Sequence, residues 1–308
     1  MNGAGGRVSL VSTATFADID EDLPLIRDAL AARGVDAEIV DWHDDGFGWA
    51  TVDLAVIRST WDYTDHVDAF LAWTDRVDAV TRLANPGAVV RWNIDKRYLG
   101  DLAAAGVPTV VTRILAPGDG PTAAAVVREV AAAAGGTVVV KPVVSAGARD
   151  TDRYGQDEIE AAVDHADRLL GEGRSVIVQP YLHGIDEGGE TGLVFVGDAF
   201  SHAFGKEAIL STGTRSRDRA VGEEEIVPRV ASAAEHAVAE AALDAVATAV
   251  PGWSRRDLLY ARVDMAPQDG GPVVLELELV EPSLFCFVDD GAIDRVADAV
   301  VAALSGPG

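Results

Sequence analysis

The chain of 308 residues has very little cysteine and lysine: one cysteine, Cys286, and three lysines among 25 basic residues. A single cysteine excludes an intrachain disulfide and a metal cluster held by thiolates. We expect Cys286, within the apolar segment LFCFV, to be a small core residue. The six histidines are scattered with no pair at metal-ligand spacing, so neither a histidine-based zinc site nor a Ser-His-Asp triad is predicted.

The sequence also lacks the motifs of several common chemistries. It has no G-x-x-x-x-G-K-[ST] phosphate loop and no G-x-S-x-G nucleophile elbow. The glycines of NGAGG come before the first predicted strand, whereas a dinucleotide fingerprint follows one. No apolar run approaches the roughly 20 residues that cross a bilayer, and MNGAGGRVSLVST lacks the pattern of a signal peptide. We therefore expect a cytoplasmic protein.

Positive charge is scarce. Fifty acidic residues against 25 basic ones give a formal net charge of −25 at pH 7. Such a surface repels polyanions, so binding to nucleic acid or to anionic membranes is not expected. The acidic residues are dispersed and 48% of the chain is hydrophobic, which predicts a folded protein of two or three compact lobes.

Strand and helix patterns alternate along the chain, which predicts an α/β protein. Breaks in the pattern predict three units: an N-terminal α/β lobe over residues 1–112, a small α+β lobe over 113–183, and a C-terminal lobe over 184–308. NIDKRYLGDLAAAG is predicted as a helix, and TGLVFVGDAFSHAFGK and VVLELELVEPS as strands.

The strand VVLELELVEPS, residues 273–283, carries two carboxylates on one face. Alternate side chains of a strand share a face, so Glu276 and Glu278 are predicted to point one way and Glu281 the other. Two interpretations are open on this stretch alone. The glutamates form a solvated face over a leucine-lined one, or they hold a cation.

Lys141 ends the apolar strand VVVKP and precedes a loop of small residues that contains Ser145 and Gly147. Small residues let backbone N–H groups approach phosphate oxygens, and a lysine ammonium compensates phosphate charge. A solvated turn is the alternative, and it stays open at this point. The later strand VIVQPYL ends in a polar-aromatic hinge whose backbone is suited to pair with the edge of an adenine.

The segment LLYARVDMA places Arg262 and Asp264 on one face of a strand shortly before Glu276 and Glu278. Mg²⁺ usually binds one or two carboxylates and completes its shell with substrate oxygens. Carboxylates this close would raise each other's pKa unless a cation neutralised them. The pattern therefore indicates a Mg²⁺ site with room for phosphates.

The order of these features resembles the ATP-grasp superfamily over most of the chain, and most closely its glutathione-synthetase and ribosomal-protein-S6-modifying branch. The resemblance implies a three-lobed fold in which ATP lies between two α+β lobes, with an N-terminal parallel α/β lobe beside them. All three lysines fall at family positions. The ATP-binding residues implied are Lys96, Lys141, Ser145, Gly147, Gln179, Tyr181, Leu182 and Glu190.

The same resemblance implies catalytic, substrate and metal roles. The catalytic residues implied are Lys206, Arg215 and Arg262; the substrate contacts are Arg58 and Ser59; and the ligands of two Mg²⁺ ions are Asp264, Glu276 and Glu278. The sequence departs from the family pattern at Glu278, where relatives usually carry asparagine. The loop SAGAR also has fewer glycines than the loop of many relatives.

The resemblance implies an ADP-forming ligase that activates a carboxylate as an acyl phosphate, which a nitrogen nucleophile then attacks. RSTWDY, NPGAVVRWNIDKRYL and LELELVEPSLF are most similar to the cyclo-ligases that close O-ureido-serine in cycloserine biosynthesis. Two alternatives stay open: an intermolecular ligase that joins an amino acid or short peptide to an amine, and a nucleotide-binding protein without ligase turnover. The expected partner is a small amino-acid-like molecule, and relatives are often homodimers or homotetramers.

Overall fold

The computed structural model describes residues 5–118, 120–207 and 225–305. Its strands are β1 Arg7–Ser12, β2 Asp36–Asp41, β3 Leu54–Ile57, β4 Arg82–Ala84, β5 Arg113–Leu115, β6 Val138–Pro142, β7 Asp152–Tyr154, β8 Val176–Pro180, β9 Glu190–Val196, β10 Ala199–Lys206, β11 Ile226–Pro228, β12 Tyr260–Gln268 and β13 Gly271–Glu278. Its α-helices are α1 Asp22–Ala32, α2 Val67–Asp78, α3 Gly87–Asn93, α4 Tyr98–Ala104, α5 Ala123–Ala133, α6 Ile159–Gly171, α7 Gly184–Gly188, α8 Ala233–Asp244, α9 Val246–Ala249 and α10 Ala292–Ser305. Within these ranges, no helix combines the length and hydropathy needed to span a bilayer.

The first sheet is parallel throughout, in the order β2-β1-β3-β4. Every residue of β3, LAVI, is buried, as is typical of a parallel strand covered on both faces. Helix α1 buries Leu23, Ile26 and Leu30, whose spacing of three and four residues forms one apolar stripe. Shortly after β3 the chain forms the short 3₁₀ helix Trp61–Asp65.

The second sheet is antiparallel, in the order β5-β8-β6-β7, and packs against α5 and α6. Strands β6 and β8 are neighbours, with Val139 opposite Gln179 and Lys141 opposite Ile177. This register brings the lysine that ends β6 into the same small unit as the hinge that follows β8.

The third sheet is antiparallel, in the order β11-β10-β9-β12-β13. It shares a hydrophobic core with the first sheet, in which Val8 and Leu10 belong to the same buried cluster as Val194 and Tyr260. Burial of this shared apolar surface holds the two sheets against one another.

Two buried asparagines tie the first unit to the third sheet. The Asn85 amide nitrogen donates to the carbonyls of Tyr260 (2.9 Å) and Leu279 (2.7 Å), and its side-chain oxygen accepts from the Leu259 N–H (2.7 Å). Asn93 repeats the arrangement, donating to the Leu277 carbonyl and accepting from the Leu279 N–H. These bonds hold β12 and β13 in register with the N-terminal unit.

Three local expectations were wrong. TGLVFVGDAFSHAFGK is a hairpin, β9 and β10, because Gly197 takes a positive φ of 62° and turns the chain. Lys96 lies in a turn between α3 and α4 instead of within a helix. Strand β13 ends at Glu278, since the backbone of Leu279 bonds to Asn85 and Asn93 in place of a strand partner.

We expect Asn85→Ala to lower the free energy of unfolding by about 2 kcal/mol or more, because it leaves two carbonyls and one N–H buried without partners. Urea unfolding followed by circular dichroism measures the effect. Glu240→Ala, on the exposed face of α8, is the control and should stay within about 0.5 kcal/mol of wild type. Equal unfolding midpoints for the two variants would contradict this account of Asn85.

Candidate active site

A cavity of about 220 Å³ receives side chains from all three units of the chain. Most of the predicted site residues line it, and they are Lys96, Lys141, Ser145, Gly147, Gln179, Tyr181, Leu182, Glu190, Lys206, Arg262, Asp264, Glu276 and Glu278. The structure therefore brings together residues that are spread over more than 180 positions of the sequence.

Two predicted residues, Arg58 and Ser59, are not among those lining the cavity, and a third lies outside the described residues. Arg58 and Ser59 are buried, with 1% and 0% of their surface exposed. The Arg58 guanidinium donates to the Pro282 carbonyl (3.2 Å), lies over the ring of Tyr260, and comes within 3.8 Å of Asp20. Arg215 lies outside the described residues. The substrate and catalytic roles suggested for these residues stay predictions.

Strand register places the acidic residues of the cavity side by side. In the β12–β13 pair, Asp264 is opposite Glu276 and Arg262 is opposite Glu278. An irregularity in the register follows Asp264, so that Met265 is opposite Val274. Glu276 and Glu278 therefore share a face, as the alternation predicted, and both side chains line the cavity.

Glu276 is the centre of the first charge network. Lys141 donates to its carboxylate at 2.7 Å, and the Lys96 ammonium lies 3.8 Å from its other oxygen. Burial by itself raises the pKa of Glu276, but the two lysines outweigh it and lower the pKa to about 2. Lys141 comes from the second sheet and Lys96 from the first unit, so this ionised carboxylate joins three parts of the chain.

Asp264 is the centre of the second charge network. It accepts from the Lys206 ammonium at 2.9 Å and from two nitrogens of Arg262, each at 2.9 Å. Burial raises the pKa of Asp264, and Arg262 and Lys206 reverse this and lower it. Arg262 also donates to Glu278. Burial nevertheless raises the pKa of Glu278; Arg262 opposes this effect, and Asp264 and Glu276 add to it.

The loop after β6 brings main-chain and side-chain groups to the cavity. The Lys96 ammonium donates to the Ser145 carbonyl at 2.8 Å, and the main-chain N–H of Lys96 donates to the Val143 carbonyl. Gly147 takes a φ of 59°, a backbone conformation that favours glycine. The Lys96–Ser145 contact fixes one end of this loop beside the lysines.

The hinge after β8 is held by its own side chains. Gln179 donates to the Thr112 hydroxyl at 2.9 Å, and the Tyr181 hydroxyl donates to Asp186 at 2.7 Å. The Arg153 guanidinium lies 3.5 Å from the centre of the Tyr181 ring, a cation–π contact. Tyr181 and Leu182 are thus fixed at the cavity wall.

The donor set fits a divalent cation that takes part of its ligands from phosphate. Asp264 and Glu276 are hard oxygen donors on adjacent strands, and the lowered pKa of each keeps it ionised. Among the described residues, no group of three or more His, Cys, Asp or Glu side chains is arranged to hold a metal by itself. Mg²⁺ commonly uses one or two carboxylates plus substrate oxygens, which matches this arrangement.

Sequence reasoning missed several residues that line the cavity, among them two aromatic residues and one carboxylate. Trp61 and Tyr63, in the 3₁₀ helix after β3, line it, and so does Glu281. Strand alternation predicted that Glu281 faces away from Glu276 and Glu278, but β13 ends before it and the alternation does not continue. Trp61 and Tyr63 lie in the segment RSTWDY, next to the predicted substrate residues Arg58 and Ser59, and this position was the signal that could have found them.

The lowered pKa of Glu276 predicts an acid-sensitive contribution to stability. An unfolded glutamate titrates at about 4.3, so the unfolded chain binds this proton first and the contribution is lost as pH falls toward about 2. Between about pH 5 and about pH 3, wild type should lose about 1.5 kcal/mol more of its unfolding free energy than Glu276→Gln. Urea titrations at several pH values in EDTA measure the difference.

Glu240→Gln is the matched control, since it removes an exposed glutamate from α8. It should keep the pH dependence of wild type. Parallel curves for wild type and Glu276→Gln would refute the role of Lys141 and Lys96 in stabilising the ionised form.

Comparison with known proteins identifies the family. The family model of the N-terminal domain of D-cycloserine synthetase DcsG matches residues 8–85. The cycloserine biosynthesis protein DcsG of Streptomyces lavendulae is 40% identical over 299 residues, which cover 96% of this chain and 98% of that protein.

Solved structures agree with the sequence comparison. The crystal structure of D-cycloserine synthetase DcsG has a TM-score of 0.86 and 38% identity, covering 97% of this chain and all of the other. The ATP-grasp ligase PsnB, in complex with a minimal precursor, Mg and ADP, has a TM-score of 0.61 over 97% of this chain and 98% of its own; at 23% identity it shows the fold alone. The predicted α/β ATP-grasp fold is confirmed, and the chain belongs to the DcsG family of ATP-grasp ligases, which are enzymes.

Proposed function

We propose that this enzyme forms a carbon–nitrogen bond at the expense of ATP, through an acyl phosphate of a small amino-acid-like substrate. The convergence of the two charge networks on one cavity carries the proposal. Three lysines and Arg262 surround three carboxylates there, so the site can compensate phosphate charge and hold a cation at once. Family membership supports the use of ATP and a divalent metal.

The proposed first step activates the acid. A carboxylate oxygen attacks the γ-phosphorus of ATP, the bond from that phosphorus to the bridging oxygen breaks, and ADP leaves. Lys141 and Lys96 neutralise phosphate charge, and Lys206 and Arg262 stabilise the charge that develops on the transferred group. Bound Mg²⁺, on Asp264, Glu276 and Glu278, would supply further charge neutralisation at the phosphates.

The proposed second step forms the bond. A nitrogen attacks the acyl carbon and loses its proton, and inorganic phosphate departs with the electrons of the broken carbon–oxygen bond. The small-residue loop that contains Ser145 and Gly147 is suited to close over this intermediate and keep water away. Gln179, Tyr181, Leu182 and Glu190 are the proposed contacts of the adenosine.

The best-supported substrate is O-ureido-serine, which would be cyclised to cycloserine. Identity of 40% over 96% of the chain to the cycloserine biosynthesis protein DcsG supports this choice. In that reaction the ureido nitrogen that is bonded to oxygen attacks the acyl carbon of the same molecule and closes the ring. The carbamoyl group on this nitrogen must then be removed by hydrolysis. An intermolecular amide ligase is the remaining alternative, whereas family membership favours an enzyme over a non-catalytic nucleotide-binding protein.

Glu276→Gln tests the ligase mechanism. We expect ADP release from ATP and Mg²⁺ to require an acid substrate, and the variant to reduce the rate at least 100-fold, because it removes the carboxylate that Lys141 and Lys96 compensate. A coupled ADP assay measures both. Glu240→Gln should keep the wild-type rate. ADP release that needs no acid, or full activity in Glu276→Gln, would refute the mechanism.

A substrate panel separates cyclisation from intermolecular ligation. O-ureido-serine alone should stimulate ADP release and yield a cyclic product, whereas serine and dipeptides should not, since they lack the internal nitrogen in position to close the ring. Mass spectrometry identifies the products. A requirement for a second amine, or an amide that joins two molecules, would favour the intermolecular alternative.

A further inference from the structure

Glu281 is a buried carboxylate that lines the cavity and has no role in the proposed ligase mechanism. It lines the cavity together with Trp61 and Tyr63, and its residue surface is 8% exposed. It lies three residues beyond the end of β13, after the chain has left the face that carries Glu276 and Glu278. A carboxylate held in such a place needs a compensating partner.

The first unit fixes Glu281 at this wall. The Trp61 indole N–H donates to the Glu281 carbonyl at 3.0 Å. Tyr63, which is itself 4% exposed, lies close enough to the Glu281 carboxyl group to lower its pKa. Both aromatic residues belong to the 3₁₀ helix Trp61–Asp65, so the segment after β3 builds the wall against which Glu281 is held.

The carboxylates of the two networks have cationic partners, whereas Glu281 has no salt-bridge partner among the described residues. Lys141 pairs with Glu276, and Arg262 pairs with both Asp264 and Glu278. At the wall that it shares with Trp61 and Tyr63, Glu281 therefore presents to the cavity a carboxyl group that no described lysine or arginine pairs with.

The surroundings favour an organic cation. Trp61, Tyr63 and Phe285 line the same cavity, and aromatic faces attract ammonium groups. Lys206 and Arg262 line it too, so the cavity offers cationic groups for a carboxylate and an anionic group for an amine. An α-amino acid carries both charges, separated by a single carbon.

The pKa of Glu281 agrees with this geometry. Burial and the nearby Glu278 carboxylate raise the pKa of Glu281 to about 8, against the lowering effects of Tyr63, Lys96 and Arg262. An isolated carboxylate is thus costly to ionise here, and a bound ammonium group would remove that cost.

We propose that Glu281 binds the α-ammonium group of the substrate, with Trp61 and Tyr63 forming the wall of an ammonium subsite. The inference rests on the proposed function, because it assigns one part of the amino-acid-like substrate to one residue of the same site. The enzyme should therefore select acids that carry a free α-amino group and discriminate against N-acylated or deaminated ones.

The test compares two substrates with two proteins. The substrates are O-ureido-serine and its analogue with hydrogen in place of the α-amino group. Glu281→Gln should raise the KM for O-ureido-serine at least 10-fold and leave the KM for ATP unchanged, since a hydrogen bond to a charged group is removed. Wild type should use the deaminated analogue with a similarly raised KM, and Glu281→Gln should not weaken its use further. A double-mutant cycle measures this coupling between residue and amino group.

Two further variants separate charge from structure. Glu281→Asp keeps the charge on a shorter side chain and should recover part of the affinity, and Glu240→Gln should behave as wild type. An equal loss for both substrates in Glu281→Gln would refute the ammonium subsite, because the damage would then not depend on the amino group.

Calorimetric binding of O-ureido-serine distinguishes the two proposals. Binding to wild type that is weakened at least 10-fold in Glu281→Gln, without any turnover, would support the subsite and refute the ligase proposal. Turnover by wild type with equal binding to both proteins would refute the subsite and leave the ligase proposal standing.

Discussion

Charge compensation inside one cavity is the constraint on which the rest of the structure depends. Glu276 and Asp264 are opposite one another on β12 and β13, and neither would stay ionised in a buried place without cations. Those cations come from distant parts of the chain: Lys96 from the first unit and Lys141 from the second sheet. Removing one partner of an ion pair would leave the other charge buried and unpaired. The free energy lost in this way is larger than the net stabilisation that the pair contributes. The ion pairs therefore require the lobes to meet in one arrangement.

Hydrogen bonds and apolar burial provide the frame that this arrangement needs. Asn85 and Asn93 bond to the backbone around β12 and β13, and the first and third sheets share a hydrophobic core. A site built on strands in this way holds its donors in fixed positions, which is what electrostatic stabilisation of a transferred phosphoryl group demands. The small loop around Gly147 is the exception, since its conformation depends on a positive φ and on contacts with Lys96.

The cavity also gives a physical reason for the glutamate at position 278, where the resembling family usually has asparagine. Arg262 donates to both Asp264 and Glu278, so the guanidinium is shared between two carboxylates. Burial nevertheless raises the pKa of Glu278, and Asp264 and Glu276 raise it further against Arg262, so an excess of negative charge adds to the cost of ionising it. A bound divalent cation would relieve that excess, and the extra charge would strengthen its binding.

The sequence by itself determined the α/β class, the paired glutamates of one strand and the lysine contexts, because strand alternation and the order of lysines and carboxylates are local or linear properties. Tertiary structure alone decided which of these groups meet. Arg58, at the end of β3, is buried against Tyr260 and does not line the cavity, whereas Trp61 and Tyr63 from the next turn do. Glu281 faces the cavity because β13 stops at Glu278, where side-chain bonds from Asn85 and Asn93 replace a strand partner at Leu279. That stop depends on residues almost 200 positions earlier in the chain, so no local pattern contains it.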